Sequence, residues 1–436
     1  MKTRSVQSIV LLLCLAVLGL ILYQLPPIHE RLAWRIDNLR AKIYYHFNPP
    51  EEVVFLPQTP AITEPENTST NLPIASEPSS ILLTSTPAAT QLPKEESTLT
   101  PTLSPSKTPA PLPTAFTLEG VRHEYQKWNN CGPANLSMLL SYWGWQGDQR
   151  EIAAELKPNP RDNNVMPAEL LSYIQQHTDL KAILRVGGNL DLIKRSVAKG
   201  FPLLIEKGFD HDNGWIGHYL VINGYDDQKK KFITQDSLIA PNYPVAYEQF
   251  EKEWRAFNRL FIIAYPPEKE EELKNILQEY WDEKTSYQMA LQQAQSETKQ
   301  LSGRDLSFAW FDVGTNATAL QDFPAAAAAY DKYFALYSAL PKSERPWRMM
   351  WYQNGPYVAY YATQRYQDVI ALATVTLSQL SERLLEEACY WRAKAELKLG
   401  DEKSALRDLQ QAVERNPHYL PAQEELQRLQ GTPTPQ

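Results

Sequence analysis

Cys131 stands in the stretch Gln126-Lys127-Trp128-Asn129-Asn130-Cys131-Gly132-Pro133-Ala134, at the head of an apolar run with helical spacing over 131–143. A thiol is a poor nucleophile until it ionises. A cysteine at a helix N-terminus has its thiolate stabilised by the helix dipole and by N–H groups without helical partners. Pro133 falls in the first turn of that helix, where a missing N–H costs nothing. Gln126, five residues before the cysteine, carries an amide that can donate to the oxyanion formed when a thiolate attacks a carbonyl. The chemistry these residue types permit is nucleophilic acyl transfer, such as hydrolysis of an amide.

Such a nucleophile needs a base on a rigid element facing its helix. Of seven histidines, His29 and His46 are close to the N-terminal apolar segment and His418 lies in the C-terminal helices. His123 is on an extended lead-in, and His177 and His211 sit in polar, loop-like contexts. His218 begins a strand, GHYLVINGY. A third group must accept the imidazole N–H and fix its tautomer. Asp236 ends the next strand, KKFITQDS, 18 residues after His218 across a tight hairpin, so neighbouring antiparallel strands would bring the two together.

The elements that position these residues follow from local pattern. Helices are expected over 131–143, stopped at Gly144; over 148–156, capped by Asp148; over Pro167–His177, with proline in the first turn; and over 189–199, capped by Asn189 and stopped at Gly200. The period then changes. Runs rich in β-branched and aromatic residues at 202–207, 218–225, 231–236 and 259–265 read as strands separated by turn residues. The domain over 116–267 is therefore α+β, helices first and an antiparallel sheet after.

Gln126 and Cys131-Gly132-Pro133-Ala134, then Gly217-His218 opening a strand that closes on Gly224-Tyr225-Asp226, then Asp236, together resemble the double-glycine or bacteriocin-processing peptidase-like family. Gly200-Phe201-Pro202-Leu203-Leu204-Ile205 is similar to that family's strand before the histidine. Its members are papain-like cysteine peptidases. The resemblance implies a papain-like fold with Gln126 as oxyanion-hole donor, Cys131 as nucleophile, His218 as general base and acid, and Asp236 as orienting residue. It covers about 150 residues of the 436, and it implies no cofactor.

The remaining chain divides by composition. Residues 1–8 carry Lys2 and Arg4, and 9–25 form an uncharged apolar run, IVLLLCLAVLGLILYQL, at the lower limit for a spanning helix. No small-residue cleavage pattern follows it, so an uncleaved signal anchor is expected, with a cytoplasmic N-terminus and the bulk of the chain outside the cytoplasm. Lipid modification at Cys14 fits poorly, because Leu11-Leu12-Leu13 lacks the small residue such a site needs. Residues 26–47 form an aromatic and basic juxtamembrane segment suited to a membrane surface. The 33 prolines of the chain concentrate in 48–115, a Pro/Thr/Ser-rich stretch that reads as a disordered linker, stiffened by proline.

Charged amphipathic helices are expected to connect over 268–300. Over 301–430 the segments around Phe323, Tyr366 and Glu402 superpose as helix–turn–helix corners, 43 and then 36 residues apart. They resemble tetratricopeptide repeats, whose period is about 34 residues. A protein substrate or partner is the expected ligand of such an array. The net charge of −8 without a basic stripe argues against nucleic acid.

Blander readings exist for each feature. Cys131 could be an inert core cysteine, His218 a satisfied strand histidine, and Asp236 a turn former. Asp210-His211-Asp212 with His218 offers metal-ligand types, but a polar loop at the mouth of a site accounts for them and no metal is expected. Cys389 reads as core. Trp347, Trp351, Tyr357, Tyr360 and Tyr361 read as repeat core, with a peptide groove as the rival. The whole reads as a membrane-anchored extracytoplasmic thiol peptidase or amide hydrolase. The alternative is a binding scaffold whose peptidase-like domain is inactive.

Overall fold

The computed structural model describes residues 53–58, 111–159, 162, 164–211, 214–380 and 385–431, together with scattered residues between 14 and 47. All of these except Gln58 and Pro111 fall in one compact unit, Met1–Pro57 with Leu112–Gln436, separate from a second unit over Gln58–Pro111.

The α+β domain opens with a short strand β1 (Ala115–Thr117), followed by helices α1 (Cys131–Tyr142), α2 (Gln149–Leu156) and α3 (Pro167–His177). Strand β2 (Lys181–Arg185) and helix α4 (Leu190–Ala198) lead to β3 (Leu203–His211), β4 (Gly214–Asp226), β5 (Lys231–Asp236) and β6 (Ala240–Ala246). Helix α5 (Tyr247–Arg255) and β7 (Phe261–Tyr265) complete it. The caps act as the side-chain chemistry requires: Asp148 accepts from Arg150 N–H and Asn189 from Leu192 N–H, each satisfying a donor that the first helical turn leaves open.

The strands form one seven-stranded sheet in the order β2-β7-β3-β4-β5-β6, with β1 alongside β4, and every pairing is antiparallel. Leu204, Val221 and Ile262 face α1, α2 and α3 on one side. Leu203, Ile205, Leu220, Ile222 and Ile263 face α4 and α5 on the other. Both faces are covered, which is why these strands read as continuous apolar runs and not as alternating ones.

Three departures from the sequence expectations have physical causes. Strands β2 and β6 escape notice because β2 is short and charged at both ends, while β6 contains Pro241 and Pro244; as the edge strand it tolerates them. His211 is not in a loop, since the β3–β4 hairpin runs on until His211 faces Gly214. For the same reason His218 does not begin a strand but lies five residues into β4, with Lys207 of β3 directly opposite.

The C-terminal region consists of α6 (Glu270–Leu277), α7 (Glu283–Glu297), α8 (Gly303–Ala319), α9 (Phe323–Ala339), α10 (Met349–Tyr352), α11 (Gly355–Ala362), α12 (Tyr366–Ser378), α13 (Glu386–Lys398), α14 (Glu402–Arg415) and α15 (Leu420–Leu429). Phe323, Tyr366 and Glu402 each begin a helix, and each follows two residues after a left-handed position: Gln321 (φ 65°), Gln364 (φ 61°) and Gly400 (φ 82°). The three corners are thus built alike. Only at the third is the left-handed residue a glycine, which adopts that region without steric cost.

The helices do not hang from the sheet domain by a linker. Trp215, Ala256 and Phe257 share a hydrophobic core with α8–α14. Arg348 donates to Trp215 O (3.0 Å), Asn258 and Asn316 exchange amide hydrogen bonds (2.7 and 3.0 Å), and Arg304 clamps Asp210 through two 2.7 Å bonds. Asp210 is therefore tied to a helix of the array and is not a free loop carboxylate.

The expectation of a uniform spacer over 48–115 needs revision at both ends. Phe55 is buried and Ala115–Thr117 pairs with β4, while 59–110 lies outside the described residues. Among the described residues no helix is long and apolar enough to cross a membrane, and the expected span at 9–25 includes residues outside the described set.

The junction has a sharp steric requirement at Gly217. A Cβ there would lie 2.7 Å from Phe257 Cζ and 3.1 Å from the Tyr352 ring. Gly217→Ala is expected to lower stability by about 1–3 kcal/mol, as overpacking of a buried contact does. Urea unfolding checks this, and an unchanged midpoint would show that the two rings yield without cost.

Candidate active site

Helix α1 begins at Cys131, and its first backbone hydrogen bond runs from Ala134 N–H to Asn130 O (3.0 Å). The N–H groups of Cys131 and Gly132 precede that bond and face the end of the helix where a negative charge is favoured. Asn129, left-handed at φ 49°, makes the turn that brings the chain into the helix, a conformation asparagine tolerates well. Lys157, buried at the end of α2, holds this turn by donating to Asn129 O (2.6 Å). Among the three cysteines, Cys131 is partly accessible and Cys389 is buried.

His218 is buried on β4, and its Nε2 lies 2.9 Å from Asp236 Oδ1. That leaves Nδ1 as the ring nitrogen available to the Cys131 thiol, which is close enough for its charge to help raise the imidazole. Asp236 is itself fully buried, and its Oδ1 accepts from the N–H groups of Leu238 (2.9 Å) and Ile239 (3.1 Å). These bonds tether the carboxylate that orients the ring.

The electrostatics favour a charged pair. Burial opposes ionisation of Cys131, but the hydrogen bond and charge of His218, the Tyr219 backbone and Lys157 outweigh it and hold the thiol below its ordinary value. Burial likewise disfavours the imidazolium of His218. Asp236, with help from the thiolate, overcomes this and raises the imidazole to about 9. Asp236, despite burial, is kept below the usual carboxylate range chiefly by the His218 charge and hydrogen bond. All three shifts describe a thiolate–imidazolium pair backed by a carboxylate.

Gln126 is part of the same cluster. Its Oε1 accepts from the Ser237 hydroxyl (2.8 Å), and Ser237 Oγ in turn accepts from Asn135 Nδ2 (2.8 Å). Asn135, buried on α1, also donates to Cys131 O (2.9 Å) and Tyr219 O (2.7 Å). Because the hydroxyl occupies the amide oxygen of Gln126, the orientation of that amide is set and its Nε2 is left as the donor. Ser237 and Asn135 thus orient Gln126 and bind the nucleophile's helix to β4 and the residue after Asp236.

The structure brings together all four residues singled out in the sequence: Cys131, His218, Asp236 and Gln126. His123, set aside as part of an extended lead-in, also reaches the cluster, with Nε2 3.1 Å from Asp236 O. Sequence reasoning passed over Asn135, Lys157 and Glu206, and met Ser237 only as a departure from the family's usual proline after Asp236. Glu206 faces Tyr219 across β3 and β4; burial, and then the Cys131 charge, push its carboxyl well up. Its signal was an acidic residue inside the apolar run Phe201-Pro202-Leu203-Leu204-Ile205-Glu206. Among the described residues no group of three or more His, Cys, Asp or Glu side chains could hold a metal ion. Cys389 is a core thiol raised to about 11 by burial.

Residues 118–262 match the Peptidase_C39 like family, which gives this part of the chain a domain of the cysteine peptidase type. A crystal structure from Bacillus anthracis, described as that of a C39-like peptidase, is similar at 20% identity; the alignment covers 35% of this chain and 97% of that one, with a TM-score of 0.29. At that distance the likeness carries no argument. No curated protein matches the chain.

The shifts predict how Cys131 reacts. Alkylation by iodoacetamide should rise with pH along a curve centred below the value of about 8.5 for a free thiol. His218→Ala should move that curve upward, because burial would then act on the thiol without its main opposing charge. A curve at or above 8.5 in the unaltered protein, indifferent to His218, would mean that the pair is not formed.

Proposed function

We propose that the chain is a membrane-anchored, extracytoplasmic thiol peptidase or amide hydrolase acting on a peptide or protein. The observation that carries this reading is His218, buried on β4 with Nε2 on Asp236 and, despite that burial, raised to about 9 by Asp236 and the neighbouring Cys131 thiol. No simpler structural role calls for a buried histidine between a thiol of lowered pKa and an otherwise excluded carboxylate.

The proposed reaction follows from these positions. The Cys131 thiolate attacks the scissile carbonyl carbon, and the resulting oxyanion is stabilised by Gln126 Nε2 and the Cys131 N–H at the start of α1. His218 Nδ1–H protonates the leaving amine as the tetrahedral species collapses to the acyl-enzyme. The neutral imidazole then takes a proton from water, which attacks the thioester and releases the acid. Throughout, Asp236 accepts the Nε2–H and keeps the ring in the required tautomer.

The N-terminal segment supports the location. Leu15, Val17, Leu18, Ile21, Leu22 and Leu25 are all exposed, so the protein itself does not cover them. An apolar run of this kind suits a bilayer anchor, and we assign it that role. The helix pairs of α8–α14, with their three like corners, are the part we assign to recruiting a protein substrate or partner, in the manner of tetratricopeptide repeats. No nucleic acid is involved in this reading.

Four variants test the chemistry on an unfolded protein substrate such as reduced, alkylated casein. Cys131→Ala should abolish cleavage. In the unaltered protein kcat/KM should fall as pH rises through about 9, where His218 loses its proton; the ascending limb should follow thiolate formation, below pH 8.5. Asp236→Asn removes the carboxylate charge that raises His218, so the descending limb should move to lower pH, toward about 6.5. Ser237→Ala should lower kcat about five- to tenfold, the effect of about 1–1.4 kcal/mol from one orienting hydrogen bond. KM should barely change, and Ser237→Thr should restore much of the loss. Equal losses in kcat and folding stability would instead make Ser237 a purely structural residue.

A further inference from the structure

Phe55 is 5% exposed and is the one fully buried side chain of residues 53–58. Its ring meets Phe334 edge-on at 4.7 Å (83°) and lies 6.2 Å from Tyr360. The groove that receives it lies between α9 and α12 and is closed at one end by α10. Phe334, Tyr337, Met349, Met350, Leu372 and Val375 line it alongside Val53 and Phe55. The occupant is not part of any helix or strand, and its flanking residue Leu56 points to solvent at 58% exposure. A single aromatic side chain thus enters an apolar slot between helices from an irregular segment.

Nothing in the surrounding sequence makes this segment part of a folded element. It is followed by some fifty residues dominated by Pro, Thr and Ser. The contact is of the kind that peptide ligands make with helical grooves: one buried aromatic anchor, aliphatic neighbours, and no secondary structure of the ligand. Because the segment belongs to the same chain, the groove meets it at a high effective concentration, which holds a weakly binding segment in place.

We propose that this groove of the helical array is a recognition site for an extended segment bearing an aromatic residue among aliphatic ones, and that residues 53–57 are its intramolecular ligand. A partner of the same chemistry must displace Phe55 to bind, so the chain carries its own competitor. The groove also touches the catalytic-type domain through its wall. Met349 and Met350 line the groove, while their neighbours Arg348 and Tyr352 brace β4 at Trp215 O and Gly217, next to His218. The site itself does not depend on the thiol chemistry.

The test uses the full-length chain in detergent and a fluorescent peptide of residues 51–59, EEVVFLPQT, read by anisotropy. Phe55→Ala vacates the slot and should bind the peptide at least about tenfold more tightly than the unaltered chain, in which the cis segment competes. The peptide with alanine in place of its phenylalanine should bind neither. Equal affinity for both chains, or equal binding of the two peptides, would overturn the proposal. Cys131 alkylation of the Phe55→Ala chain, unchanged in rate, shows that it remains folded. Sedimentation separates the two possible sources of the segment: a species whose mass stays that of a monomer as concentration rises supports occupancy in cis. A dimer lost on Phe55→Ala would assign the segment to a second copy and overturn that part.

Discussion

A buried imidazole can stay charged only if negative charge stands close to it, and much of the domain's architecture serves that condition at His218. On one side is Asp236, fully buried and tethered by the backbone N–H groups of Leu238 and Ile239. On the other is the thiol of Cys131, at the end of α1 where the helix dipole favours an anion. The sheet and the helix must therefore be held in fixed relation. Asn135 does this from within α1, reaching Tyr219 O on β4 and Ser237 beyond β5 while also bonding to Cys131 O. The same chain of bonds orients Gln126, so the nucleophile, the base and the proposed oxyanion donor are placed by one buried network. Partial networks of this kind are costly, and this one links its members to several elements at once.

The second determinant is the seam between the sheet domain and the helices. Trp215 stacks on Phe257 (5.9 Å, 7°), and Tyr352 meets both rings edge-on, so the strand that carries His218 is supported by aromatic packing from α10. Gly217 exists to admit those rings. Lys157 lies in the field of Glu386 of α13 as well as of Asp162 and Cys131. The helical array is therefore a wall of the site's surroundings, and a recruiting function there can be felt at β4 through contacts of one or two residues.

The legible part of the site was the part encoded in one-dimensional order. Cys131 at a helix start and Asp236 at a strand end are local features, and proximity of the β4 and β5 strands follows from a short hairpin. What escaped was set by pairing. Whether His218 begins a strand or lies inside one depends on how far the β3–β4 hairpin extends, and the chain shows that only when His211 is seen facing Gly214. Strand β6 with its two prolines is acceptable only because it is an edge, which is a property of the sheet and not of the segment. Ser237 and Asn135 are common residue types, and nothing local distinguishes them from surface polar residues.

Taken alone, the sequence indicated the first four helices of the domain to within a residue or two, four of its seven strands but not α5, the three like corners of the array, and the candidacy of Cys131, His218, Asp236 and Gln126. These depend on periodicity, caps and turn chemistry, which act over a few residues. Only the tertiary structure decided that Glu206 and Lys157 lie in the field of Cys131, that Asp210 belongs to Arg304, and that Phe55 leaves the linker for a slot between α9 and α12. Each of these joins residues far apart in the chain. Their pairing depends on burial and on shape at a distance, quantities that no local pattern carries.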